Sequence, residues 1–208
     1  MIASRARRCL PAALAFAFFL PGCVGTAHNE APAAVYDFGL PAFSENAGAG
    51  ADGPAGRLAL DVRAAPWLGG PEIDYRLAYG DPLRRSQYAN SRWAAPPALL
   101  LAQQLRLRIG FAAADGVADC TLRVELQEFS HVFTAPQISH GALLGRIRLI
   151  DGKRRRLAGR AVDIERPARE ADAAGGVQAL VEAGEELARQ LAAWLDRLER
   201  EGKLETCG

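Results

Sequence analysis

Two serine–histidine neighbours, Ser130-His131 and Ser139-His140, are the first residues to test for chemistry. A hydrolytic serine stands on a strained turn that exposes its hydroxyl, with a separate base and an orienting acid. Adjacent residues of a strand point to opposite faces, so neither pair supplies nucleophile and base together. The two histidines have no acidic residue between them, and Cys120 and Cys207 have no second ligand at zinc-motif spacing, so no metal is expected. Gly48-Ala49-Gly50-Ala51-Asp52-Gly53 matches G-x-G-x-x-G, but Pro54-Ala55-Gly56 and then a strand pattern follow. A dinucleotide site needs a helix opening there, its N-terminus facing the pyrophosphate. Lys153-Arg154-Arg155-Arg156 sits in a hairpin turn and reads as solvated, and Glu185-Glu186 lies on the polar face of a helix. No catalytic residue and no diffusible cofactor are expected.

Bulk composition is equally plain. The chain has 208 residues, 25 Lys+Arg against 24 Asp+Glu, and is half apolar. That suffices for one domain with a sizeable core and excludes a disordered chain, a collagen or a polytopic membrane protein. A net charge of +1 argues against a nucleic-acid partner, which selects strongly basic domains.

The N-terminus is more informative. Arg5, Arg7 and Arg8 precede an apolar run from Leu10 to Leu20, which ends in Pro21-Gly22-Cys23. Spanning a bilayer takes about 20 residues, so the run has the length of a signal-peptide core, not of an anchor. Leu20-Pro21-Gly22-Cys23 resembles the lipobox of bacterial lipoprotein signal peptides. The resemblance implies diacylglyceryl transfer to the Cys23 thiol and cleavage before it, with Val24 in place of the Asp typical of inner-membrane retention. Residues 1–22 are then the signal, 23–34 an acylated tether, and 35–208 the domain. Its expected place is the outer membrane, facing the periplasm. Loss of three arginines leaves 22 basic against 24 acidic groups, about −2. Cys120 and Cys207 remain as thiols in an oxidising compartment, where one intramolecular bridge is expected. The alternative is a buried free Cys120 and a frayed tail.

These residues need a scaffold, and the periodicities supply one. Tyr36–Leu40 reads as a short strand, and 41–56 as a flexible loop. Leu58, Leu60 and Val62 alternate with polar residues, as do Ile73, Tyr75, Leu77 and Tyr79; Gln87–Trp93 is a more polar extended segment. Pro96-Pro97 opens a helix that Gly110 closes. Leu122, Val124 and Leu126 share a face, then Phe129, His131 and Phe133 continue in the opposite phase, which predicts a bulge near Gln127–Glu128. Leu143–Ile150 and Leu157–Ile164 form a hairpin. A stripe from Val177 to Leu198 makes a long final helix, ended by Gly202. The fold class is α+β: one domain, a mixed β-sheet with two main helices packed on one face.

One stretch carries a resemblance. Ile73, Tyr75, Arg76, Tyr88, Ala89, Arg92, Trp93, Pro96 and Pro97, then Asp172, Ala173 and Trp194, follow in order and spacing the pattern of the ABC-type transport auxiliary lipoprotein family. The long Ala/Gly insertion at 44–56 departs from it. That family comprises outer-membrane lipoprotein components of MCE-type, Pqi-like intermembrane transport systems. The resemblance implies a non-enzymatic partner of an MCE-domain protein, tied to the outer membrane by its lipid and acting as a homo-oligomer. Arg76, Tyr88 and Arg92 are the candidate partner-binding residues, Tyr and Arg being enriched at hot spots. Core packing is the competing role for Tyr75, Trp93 and Trp194.

Overall fold

A computed structural model of the protein describes residues 32–39, 53–111 and 118–207. Cys23, the signal segment, the tether up to residue 31 and most of the Ala/Gly-rich stretch lie outside the described residues. Among the described residues seven strands build one mixed sheet: β1 (Ala34–Tyr36), β2 (Leu58–Ala64), β3 (Glu72–Leu77), β4 (Ser86–Trp93), β5 (Cys120–Ala135), β6 (Ile138–Asp151) and β7 (Arg156–Pro167). The order is β1-β4-β3-β5-β6-β7, with β2 also paired to β5. Helices α1 (Pro97–Ile109) and α2 (Ala173–Arg200) pack on one face and touch each other.

Strand β5 is the axis. One edge runs antiparallel to β6 along nearly its whole length. The other edge is shared end to end by two parallel strands, β2 from Leu58↔Cys120 to Ala64↔Leu126 and β3 from Asp74↔Ser130 to Leu77↔Phe133. The register shift between Leu126 and Glu128 is the bulge that the change of phase predicts, and it keeps Phe129, His131 and Phe133 on the helix side with Leu122 and Val124. At the break between β2 and β3 the indole N–H of exposed Trp67 donates to the Gln127 carbonyl at 3.3 Å. The sheet thus has two distinct ends. β3 and β5 finish, and β4 and β6 begin, at the upper end; β5 starts and the β6–β7 turn lies at the lower one.

The helix caps follow the sequence. Gly110 takes a φ of 80° after α1, and Gly202 a φ of 68° after α2. Asp172 caps α2, its Oδ1 accepting from the Gly175 N–H at 2.8 Å. Packing beneath α2 selects small residues: a Cβ on Gly141 would lie 2.7 Å from the backbone of Ala179 and Leu180. The core is aliphatic, and Trp93 and Trp194 belong to it at 1% and 5% exposure. Among the described residues no helix is long and apolar enough to cross a membrane.

Four boundaries differ from the sequence expectation. The first strand is Ala34–Tyr36, because Asp37 turns the chain, accepting from the Gly39 N–H, and Phe38 packs against Trp93 and Phe129 in the core. Tyr79 lies beyond β3, in the turn that follows Leu77. Pro54–Arg57, read as the end of a flexible loop, is a turn of 3₁₀ helix that buries Ala55. Strand β6 begins five residues before Leu143, where Ser139, His140 and Gly141 lack the bulky side chains that mark a strand.

Candidate functional site

The sheet face opposite the helices, near the upper end, carries a network of charges. Asp74 and Arg76 project there from β3, because the period of two places Ile73 and Tyr75 on the helix side. Glu128 enters from β5 beside the bulge. Arg85, at the mouth of β4, bridges them: its guanidinium reaches Asp74 at 2.7 Å and Glu128 at 3.0 Å, while Arg76 reaches Glu128 at 2.9 Å. Arg76 also donates to the carbonyls of Pro82 and Leu83, each at 3.4 Å. The loop between β3 and β4 is therefore tied from below by two arginines. It is also tied within itself, the Leu83 N–H donating to Asp81 Oδ1 and the Arg84 N–H to the Asp81 carbonyl.

Burial makes this network consequential. Asp74 is 3% exposed, and burial drives its carboxyl above the usual range, with Arg85 pulling the other way. Removing one member of such a pair strands the other. An Arg85→Ala variant is expected to lose roughly 1–3 kcal/mol of stability, below the full cost of a deeply buried pair because Arg85 itself is partly hydrated. Urea unfolding of wild type and variant at neutral pH measures it.

On the helix side of the same end lies an aromatic group. Tyr75 packs on Tyr88 with ring centres 4.8 Å apart, His131 on Phe133 at 4.3 Å, and Phe133 edge-on to Tyr75. The Tyr88 hydroxyl lies 2.9 Å from His131 Nδ1, and Gly176 at the start of α2 leaves room for the imidazole. His131 is fully buried; burial, helped by neighbouring His140 and opposed by Asp172, lowers its pKa to about 4. Burial likewise raises the Tyr88 phenol, helped by Tyr75. Folding thus excludes a proton that the unfolded imidazole takes up near pH 6.5. His131 costs nothing above that pH, and stability is lost as pH falls from about 6.5 toward 4. Urea midpoints between those pH values should fall more steeply for wild type than for His131→Gln; equal slopes would contradict the assignment.

These arrangements bear on the sequence candidates one by one. Ser130 and Ser139 hydroxyls are buried without a hydrogen-bond partner, so neither is paired to a histidine. No cluster of three or more potential metal ligands occurs among the described residues. Arg76, expected at a contact surface because arginine is rarely buried alone, is paired instead and holds a loop. Tyr88 is half-buried on His131. Arg92 alone of the three is exposed, opposite Glu72 in the β3–β4 register. Cys120 and Cys207 are joined by a disulfide, Cα atoms 5.1 Å apart, at the lower end. A turn and the 3₁₀ segment Glu205–Cys207 carry the tail there, with Leu204 buried alongside. Sequence reasoning missed Asp74, Arg85 and Glu128. Their signal is a charge at a strand position facing away from the helices or in a turn, which becomes meaningful once the strand register is known.

Comparison with known proteins places this fold. The chain resembles the crystal structure of protein XCC0632 from Xanthomonas campestris, with a TM-score of 0.59 and 19% identity, over 83% of this chain and 98% of that one. A second crystal structure, of an uncharacterized protein, matches with a TM-score of 0.58 and 16% identity over 79% of this chain and 99% of that one. At such identities the likeness is one of fold. No protein of curated function matches the sequence. A family model described as the ABC-type transport auxiliary lipoprotein component matches residues 46–192, which takes in the charged network, the aromatic group, α1 and most of α2. The chain belongs to the ABC-type transport auxiliary lipoprotein family.

Proposed function

We propose that the protein is a non-enzymatic lipoprotein, acylated on Cys23 and held at the periplasmic face of the outer membrane. There it docks the MCE-domain protein of an ABC-type intermembrane transport system that moves lipids. The observation that carries this reading is the family match over residues 46–192. The lipobox-like Leu20-Pro21-Gly22-Cys23 supports the anchor, since several acyl chains on one cysteine hold a soluble domain firmly where one chain does not. Arg92, exposed on β4, contributes a direct contact, whereas Arg76 and Tyr88 act through the elements they brace. Assembly as a homo-oligomer would let each copy add a weak contact to a symmetric partner.

The experiment is purification of the acylated protein from its native envelope, with co-purifying proteins identified by mass. Recovery of an MCE-domain protein is the expected result, and its capture should weaken with Arg92→Ala in a variant shown to be folded. Recovery of other envelope proteins alone, with no MCE-domain protein at any salt concentration, would replace docking by a stand-alone structural role.

A further inference from the structure

The upper end of the sheet displays apolar side chains that the fold leaves uncovered. Leu83 is 90% exposed, Ile138 65%, Tyr79 51% and Leu77 39%. Leu77 closes β3, Tyr79 and Leu83 sit in the β3–β4 loop, and Ile138 opens β6 after the turn from Ala135. Leu77 is level with Phe133, and Ala135 with Ile138, so the loop and the turn rise from neighbouring strands. The display is built. Arg76 grips the carbonyls of Pro82 and Leu83, Arg85 clamps the loop's exit to Asp74 and Glu128, and Asp81 closes the turn beneath Leu83. A loop held this firmly holds out a leucine against the usual preference for burial.

The chain's own path indicates what meets it. Strand β1 is parallel to β4, with Ala34 opposite Ser91, and β4 begins at the upper end. The segment before Ala34 therefore enters the sheet from the side where the apolar tip lies. Ten residues lie between Cys23 and Ala34, and the eleven Cα-to-Cα steps reach at most about 40 Å. We infer that Leu77, Tyr79, Leu83 and Ile138 form a tip that dips into the interfacial layer of the bilayer in which acyl-Cys23 is anchored. Leucine and isoleucine supply apolar area, and tyrosine suits the layer where one end of the ring is apolar and the other wet. Arg84, exposed beside Leu83, can meet lipid phosphates. The lipid then does more than tether: together with the tip it sets the domain upright on the membrane, with the lower end and its disulfide facing away.

This inference rests on the anchor at Cys23, and the test separates the two. Leu83→Cys, Ile138→Cys and, at the opposite end of the sheet, Lys153→Cys are made in the full chain. The acylated proteins are labelled with an environment-sensitive fluorophore and reconstituted into phosphatidylethanolamine–phosphatidylglycerol vesicles with or without acyl-chain quenchers. The expected result is a blue shift and quenching at positions 83 and 138, none at 153, and a depth of about 5–10 Å. Lipid mass on the protein with a water-like, unquenched signal at both tip positions overturns the tip while leaving the anchor. So does a blue-shifted signal that lipid quenchers do not reach, which assigns the tip to a protein neighbour. A mature chain carrying no lipid mass and floating with no vesicle overturns the anchor, and the tip with it.

Discussion

A Cys23→Ala variant is expected to accumulate as an uncleaved precursor with no acyl group. The proposed chemistry is all-or-none: it makes the thiol the lipid acceptor, and alanine offers nothing to acylate. The precursor then depends on its short apolar run, Leu10 to Leu20, for membrane contact. Eleven residues are about half of what spans a bilayer. Each buried CH₂ of an acyl chain contributes about 0.8 kcal/mol, so losing several chains removes far more binding than any substitution in the domain. Intact mass and membrane fractionation of wild type and variant decide the matter. Normal cleavage of the variant, or a soluble wild type with no lipid mass, would refute the anchor.

The second large effect concerns the lower end. The bridge between Cys120 and Cys207 closes a loop across 87 residues, nearly half the chain. In the chain-entropy picture a loop of that size contributes roughly 4–5 kcal/mol, and removal of native bridges commonly costs about 2–5 kcal/mol. Leu204, buried beside it, loses its place when the tail is freed. A Cys120→Ser/Cys207→Ser double variant should therefore unfold at much lower urea, by about 2–5 kcal/mol. The wild-type mature protein, denatured without reductant, should show no free thiol. Two free thiols would remove the bridge.

Much of this fold is readable before any coordinates. The alternation around Leu58, Ile73 and Leu122, the phase change at Gln127–Glu128, and the glycines after both helices each report a local backbone requirement. Local chemistry dictates them, so local sequence carries them. What escaped is set by distance. That β2 and β3 divide one edge of β5 follows from pairings some sixty residues apart, which no window of sequence contains. The early start of β6 was hidden because Gly141 is chosen by the approach of α2, not by strand propensity. The same reason explains the site. Arg76 looked like a contact residue because arginine usually seeks water; only the register places Glu128 beside it and the loop carbonyls above it. Tyr88 and His131, 43 residues apart, become neighbours through three strands.

Strand β1 has a mechanical meaning. If Cys23 carries the proposed anchor, a pull on it reaches the domain through three residues paired to β4, and its component along the strand axis is the one they bear. Force in that direction loads the β1–β4 hydrogen bonds together, as in a lap joint, and does not peel them one at a time. Beyond the joint, Phe38 is wedged between Trp93 and Phe129, a knot behind the seam that must be dragged from the core before the strand can slip. The shortest strand among the described residues would thus serve the proposed anchor as a strain relief.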